Sequence, residues 1–163
     1  MTNSQDIVIT RIIDAPVETV WESWTNPEHV KKWWGPKDFT SPYAAIDLRE
    51  GGKYVFGMSA PEYLGGQDSY SGGTYTKVVP LERLEFTQSI TDQEGNALDP
   101  TAIGLPDGFP KETQMTVIFK KIKDGTMTEL TLIERGRPQD QSIVFALVGM
   151  YQQMDKLVES VQK

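Results

Sequence analysis

Apolar residues change their spacing along the chain, and each change marks a new element. Ile7, Val8, Ile9, Ile12 and Ile13 form a β-branched run of strand composition, ended by Asp14-Ala15-Pro16, where the proline is placed to open a helix. Val17, Val20, Trp21 and Trp24 then recur at i, i+3, i+4 and i+7, which predicts a short helix with one buried stripe. Asn26 is placed to cap a second short helix, with Pro27 at its first position, Val30 and Trp33 or Trp34 on its inner side, and Gly35-Pro36 as its stop.

From Tyr43 to Arg135 the period falls to two, and glycine-rich or Asp-Gly turns separate the runs, as in an antiparallel meander. Ile46 and Leu48 alternate before Glu50-Gly51-Gly52-Lys53 and Tyr54, Phe56 and Met58 after it, predicting a tight hairpin. Tyr75 to Val79 and Arg83 to Ser89 flank Pro80-Leu81-Glu82, with Leu84 and Phe86 on one face. Met115, Val117 and Phe119 lead to the Asp124-Gly125 turn, and Leu130 and Leu132 close the last strand. Between these pairs, Thr91 to Lys111 has little periodicity, a loop of about 20 residues that is either functional or a surface insertion.

The segment from about Gln139 to Val161 is predicted as one long helix. Ile143, Leu147, Met150, Met154, Leu157 and Val161 step by fours and threes, which keeps them on one stripe. Val144, Ala146, Val148 and Tyr151 are expected to widen the buried face of its first half, and Gln152, Gln153, Asp155, Lys156 and Glu159 to keep the far side of the second half in water. Gly149 inside a helix costs about 1 kcal/mol relative to alanine, so it marks either a close approach or plain helix-on-sheet packing.

Composition narrows the chemistry. The 163 residues suit one domain, 1–163, and 38% hydrophobic with 24% charged residues is ordinary globular usage. A formal charge of -7 disfavours phosphate backbones, so no nucleic-acid partner is expected. With no cysteine and one histidine, thiolate sites, disulfides and multi-histidine zinc sites are excluded, and neither metal nor cofactor is expected. Met1 to Asp6 is polar and no window reaches the length of a membrane span, so cytoplasmic residence is expected.

One strand, two short helices, about six antiparallel strands and a long amphipathic helix make an α+β order in which that helix packs against a curved sheet. Ala15-Pro16-Val17 with Val20-Trp21, Asn26-Pro27-Glu28 through Trp33-Trp34-Gly35-Pro36, Asp47-Leu48-Arg49 with Gly51-Gly52, Pro80 to Phe86, Thr126 to Leu132 and Met154-Asp155-Lys156-Leu157 together resemble the START-like, or SRPBCC, helix-grip superfamily. The likeness is to the branch named after the activator of the heat-shock-protein-90 ATPase, and it covers nearly the whole chain. It implies a sheet gripping the last helix around an internal cavity for apolar molecules. Gly149-Met150-Tyr151 departs from it, since the branch often carries a tryptophan there, and the Thr91 to Lys111 loop is longer than usual.

In such a fold an apolar or aromatic ligand would meet Tyr54, Phe56, Met58, Tyr75, Phe86, Phe119, Leu147, Met150 and Tyr151, with Trp34 at the rim; the same residues equally suit a filled core. Trp33-Trp34 either gates a pocket or anchors a helix. Asp47 and Arg49 present either a ligand contact or a structural pair. His29 sits in the first turn of a short helix, a surface position rather than a general base. Glu129, Glu134, Asp47 and Glu62 become acid or base groups only if buried in the cavity. The first reading is therefore a non-enzymatic binder of a small apolar molecule. The alternatives are a cochaperone-like partner of a heat-shock ATPase and a polyketide cyclase or dehydratase, with either a monomer or a homodimer.

Overall fold

The computed structural model describes residues 6–138, 140 and 142–162; the polar segment before Asp6 and the expected helix start at Gln139 lie outside the described residues. Strand β1 (Ile7–Ile13) leads to helices α1 (Val17–Thr25) and α2 (Pro27–Val30). Strands β2 (Thr40–Ile46), β3 (Lys53–Ser59), β4 (Asp68–Val79), β5 (Arg83–Thr91), β6 (Thr113–Ile122) and β7 (Met127–Arg135) follow, and helix α3 (Ser142–Val161) ends the order. The strands form one antiparallel sheet, β1-β7-β6-β5-β4-β3-β2, a curled half-barrel in which the first strand returns beside the last. The molecule is thus an α+β helix-grip fold.

Burial follows the two-residue period where the sheet faces the helices. Leu84 and Phe86 on β5, Met115, Val117 and Phe119 on β6, and Leu130 and Leu132 on β7 are all buried. The β3–β4 hairpin is longer than its apolar spacing suggests, because Asp68 to Thr74 extends β4 with serines and glycines rather than alternating apolar residues. Glycine is required there: a Cβ on Gly73 would lie 2.0 Å from the carbonyl oxygen of Thr87 on β5. The turn joining β2 and β3 is a broad six-residue excursion, 47–52, whose Gly51 N–H donates to Tyr75 O at 2.8 Å. Arg49 and Asp47 pair across it at 2.9 Å, well exposed, in place of the expected position along a strand.

The second helix is one turn long. Asn26 Oδ1 accepts from Glu28 N at 3.0 Å and Pro27 fills the first position, but α2 stops at Val30 and Trp33 and Trp34 lie in the turn beyond it. Trp33 is fully buried and its Nε1 donates to Ser23 O at 2.7 Å, so the side chain ties that turn to α1.

Helix α3 divides in two. Met150, Met154 and Leu157 are buried, with Ile143 and Val161 half-buried at the ends of the same stripe. The wider buried face expected of its first half is not there: Val144, Val148 and Tyr151 are exposed and only Ala146 of that group is half-buried, while Leu147, expected in the central stripe, is exposed as well. The second half is also less wet than its polarity suggests. Gln153 Oε1 accepts from Gly35 N at 3.0 Å, Gln152 Oε1 accepts from Lys37 N at 3.1 Å, and Lys156 Nζ donates into the same turn. Arg11 joins Asp155 at 2.7 Å and Asp14 N donates to Gln162 Oε1, fastening the end of α3 to β1.

Candidate functional site

The sheet curls because its strands twist, and α3 crosses its concave side. Where Trp24 of α1 meets β3, β4 and β5 the concave side is closed by side chains. Tyr54, Phe56, Tyr75, Leu84, Phe86 and Trp24 meet there with no room among them for a water molecule. Tyr54 stacks at 4.8 Å from Phe56 and 5.2 Å from Phe86, and its hydroxyl donates to Thr87 O at 2.6 Å. Burial pushes the phenols of Tyr54 and Tyr75 up from their ordinary value.

Toward the first half of α3 the layer opens into a cavity of about 450 Å³. Its floor is Phe86 and Gln88 on β5, Met115 on β6, and Leu132 and Glu134 on β7. Trp24, Trp33, Trp34 and Pro36 form one side, with Met58 and Ser71 beyond them. The roof is the inner face of α3, from Ser142 to Met154, including Ala146, Gly149 and Met150. Leu105, Pro106 and Phe109 from the long loop close the remaining side. Phe145 touches the cavity while 79% exposed, which places the mouth beside it.

Of the residues singled out in the sequence, Trp34, Met58, Phe86 and Met150 line this cavity. Tyr54, Phe56 and Tyr75 lie behind them in the closed cluster, Phe56 backing Trp34 edge-on at 4.9 Å. Phe119 packs at 5.0 Å on Trp21, away from the cavity. Leu147 and Tyr151 stand on the solvent side of α3. His29 is half-buried beside its cap, Glu62 and Asp47 are exposed, and Glu129 is half-buried opposite Lys120 and Ile12.

Glu134 differs from the other carboxylates. It is 2% exposed, lines the cavity, and receives Arg137 Nε on Oε1. Arg137 lines the same wall, with its guanidinium 5.8 Å from the centre of the Phe109 ring. Arg137 escaped the sequence reading because it follows the last strand, but Glu134 carried a signal. It continues the parity of Leu130 and Leu132, so extending that alternation by one step puts it inside. Trp24, Trp33, Ala146 and the loop side chains were likewise missed as lining, since which end of a layer stays open depends on the curl of the sheet.

One further feature shapes the wall. Lys156 Nζ donates to Gly35 O and Phe39 O, both at 3.0 Å, and lies 3.3 Å and 3.4 Å from Pro36 O and Trp34 O. Gly35 turns the chain there at φ +97°, a conformation in which a side chain is strained. Together with Gln153 this fixes Trp34 and Pro36 against α3.

A family model described as Activator of Hsp90 ATPase homolog 1-like protein matches residues 14–162. Among solved structures, protein CV1439 from Chromobacterium violaceum is 24% identical, with a TM-score of 0.75 over 97% of each chain. Protein NE0264 from Nitrosomonas europaea is 22% identical, with a TM-score of 0.73 over 95% of this chain and 92% of its own. An AHSA1 protein from Silicibacter pomeroyi is 20% identical, with a TM-score of 0.69 over 95% and 96%. No curated protein matches the sequence. Among the described residues no helix is long and apolar enough to cross a membrane.

Proposed function

The chain belongs to the Activator of Hsp90 ATPase homolog 1-like family, and from that premise we propose that it binds a small apolar molecule in the cavity between the sheet and α3. The observation that carries this reading is the uneven filling of one layer. Protein interiors pack densely and leave few voids larger than a water molecule. The Tyr54 cluster obeys that rule, while a cavity of about 450 Å³ stands beside it, walled by indoles, Phe86, Met58, Met115 and Met150. That volume falls within the span of about 300–1,000 Å³ common to small-molecule sites, and methionine and aromatic walls suit greasy, flat occupants.

The test is native mass spectrometry of protein purified without delipidation, followed by thermal-shift titration with fatty acids, sterols and polycyclic aromatics. A ligand at one hundred times its Kd adds about 2.7 kcal/mol to the folded state, which for a domain of this size raises Tm by about 5–10 °C. Trp24, Trp33 and Trp34 wall the cavity, so tryptophan emission reports occupancy directly. A bare mass, no stabilisation and unchanged emission across the panel would overturn the reading.

A further inference from the structure

A charged pair in the cavity wall restricts what the cavity accepts. Glu134 Oε1 is taken by Arg137 Nε, but among the described residues Oε2 has only Thr113 Oγ1 at 3.4 Å and Arg137 Nη2 at 3.5 Å. Both distances are at the outer limit of hydrogen bonding, so a buried carboxylate oxygen retains most of its accepting capacity. Arg137 turns Nε and Nη2 toward Glu134 and carries further N–H donors on the same fork. The cavity also borders Trp24, whose buried Nε1 has no partner among the described residues. An acceptor and donors of opposite charge thus stand side by side, with no net charge between them, in a wall whose other polar side chains, Ser71, Gln88, Ser142 and Gln153, are uncharged.

That arrangement discriminates among polar groups. A carboxylate that reached Arg137 would also stand beside Glu134, and an ammonium that reached Glu134 beside Arg137, so each attraction is offset by a like-charge contact while the ion loses its water. A pure hydrocarbon would cover Oε2 while giving it no proton, leaving a buried acceptor unpaired. A hydroxyl donates to Oε2 and accepts from the guanidinium at once, and it carries no charge. We infer that the cavity selects neutral apolar molecules bearing a hydroxyl group, held between Glu134 and Arg137 with the ring or chain against the tryptophans. This specificity rests on the ligand-binding reading above.

Equilibrium dialysis at pH 7 with 2-naphthol, its methyl ether and 2-naphthoate isolates the three cases. 2-Naphthol is expected to bind about tenfold more tightly than the methyl ether, which accepts but cannot donate, and by a similar factor over the carboxylate. Glu134→Gln keeps the shape and removes the negative charge, so the wall becomes cationic. In that variant the advantage of 2-naphthol over its ether falls to about twofold or less and 2-naphthoate becomes the best of the three. Should Glu134→Gln not fold, the unmodified protein's ranking decides alone. Equal binding of 2-naphthol and its ether, or a preference of the unmodified protein for 2-naphthoate, overturns the hydroxyl assignment and leaves cavity binding standing. If none of the three binds while another apolar compound shifts Tm, the assignment falls alone; if nothing binds, both fall.

Discussion

Lys156→Met removes the ammonium that joins α3 to the turn after α2 while keeping most of the aliphatic stem. In the intact protein Nζ makes two bonds of 3.0 Å, to Gly35 O and Phe39 O, and two longer contacts of 3.3 Å and 3.4 Å. Hydrogen bonds from a charged donor contribute about 1.5–3 kcal/mol each, and the carbonyls lose their shared donor together. Against that, burial lowers the pKa of this lysine, with Asp38 opposing, so the substitution also relieves a desolvation cost. The site is only partly buried, and water can replace some of the lost bonding. The balance is a net loss of about 2–3 kcal/mol, or about 5–10 °C in Tm for a domain of this size. Urea unfolding followed by circular dichroism gives the first quantity and calorimetry the second. Because the turn carries Trp34 and Pro36, the variant's tryptophan emission should shift toward that of exposed indole before global unfolding. A loss under about 0.5 kcal/mol, the range of an ordinary surface substitution, with unchanged emission, would refute the reasoning and leave the turn held by tryptophan packing alone.

Gly149→Ala should stabilise α3 by about 1 kcal/mol, since the nearest heavy atom to an added Cβ is Pro36 Cγ at 4.0 Å; thermal unfolding measures it, and a lower Tm would show that the helix needs the glycine. Gly149→Leu projects a larger side chain into the roof, so ligand stabilisation in the thermal-shift assay should fall several-fold while the far-ultraviolet spectrum stays unchanged. Leu105→Ala with Phe109→Ala removes the loop's contribution to the wall, with the expected outcome of weakened ligand binding and a stability change below about 1 kcal/mol, because both side chains are only half-buried. Raising the pH gives a signed test. Tyr54 and Tyr75 have folded pKa values above their ordinary 10.0, so their contribution is complete below pH 10 and is lost as pH rises past it toward the folded values. Of the six tyrosines, these two should ionise only as the protein unfolds, visible as a second step in absorbance at 295 nm that coincides with loss of ellipticity.

Reading the sequence recovered most of the fold because its elements are set by local period. The first strand follows from its β-branched composition, and the α1 stripe, the inward parity of β5 to β7 and the Met150-Met154-Leu157 line each follow from spacing. Errors fell where a tertiary contact overrides that period. The start of β4 was lost to Gly72 and Gly73, whose need is a neighbouring backbone rather than a side-chain pattern. Gln152, Gln153 and Lys156 read as a wet face because their partners are backbone groups of residues 34–39, far away in sequence. The site was less legible than the fold. Alternation identifies Tyr54, Phe56, Tyr75 and Phe119 as inward just as firmly as Met58 and Phe86, and nothing in a two-residue period says which inward residues meet a partner and which meet empty space.

What separates wall from core is what lies over the sheet: the closed cluster meets Trp24 of α1, whereas the cavity is roofed by α3. The second half of α3 buries Met154 and Leu157 and is anchored at its flank by Lys156 and Asp155. Its first half offers Ser142, Ala146 and Gly149 to the inside, small residues that cannot fill the space beneath them, while Val144, Phe145 and Val148 point to water. A helix amphipathic for packing alone would place its bulk the other way round. Small residues inside and large ones at the rim leave room below and apolar surface at the mouth, and this inversion of an ordinary amphipathic pattern is what the proposed ligand-binding reading requires of the helix. Bulk restored to the inner face should therefore exchange binding for stability: Gly149→Leu combined with Ala146→Leu should raise Tm as it abolishes ligand-induced stabilisation. A double variant that lost binding and also lost stability would show that the small residues serve the packing of the helix itself.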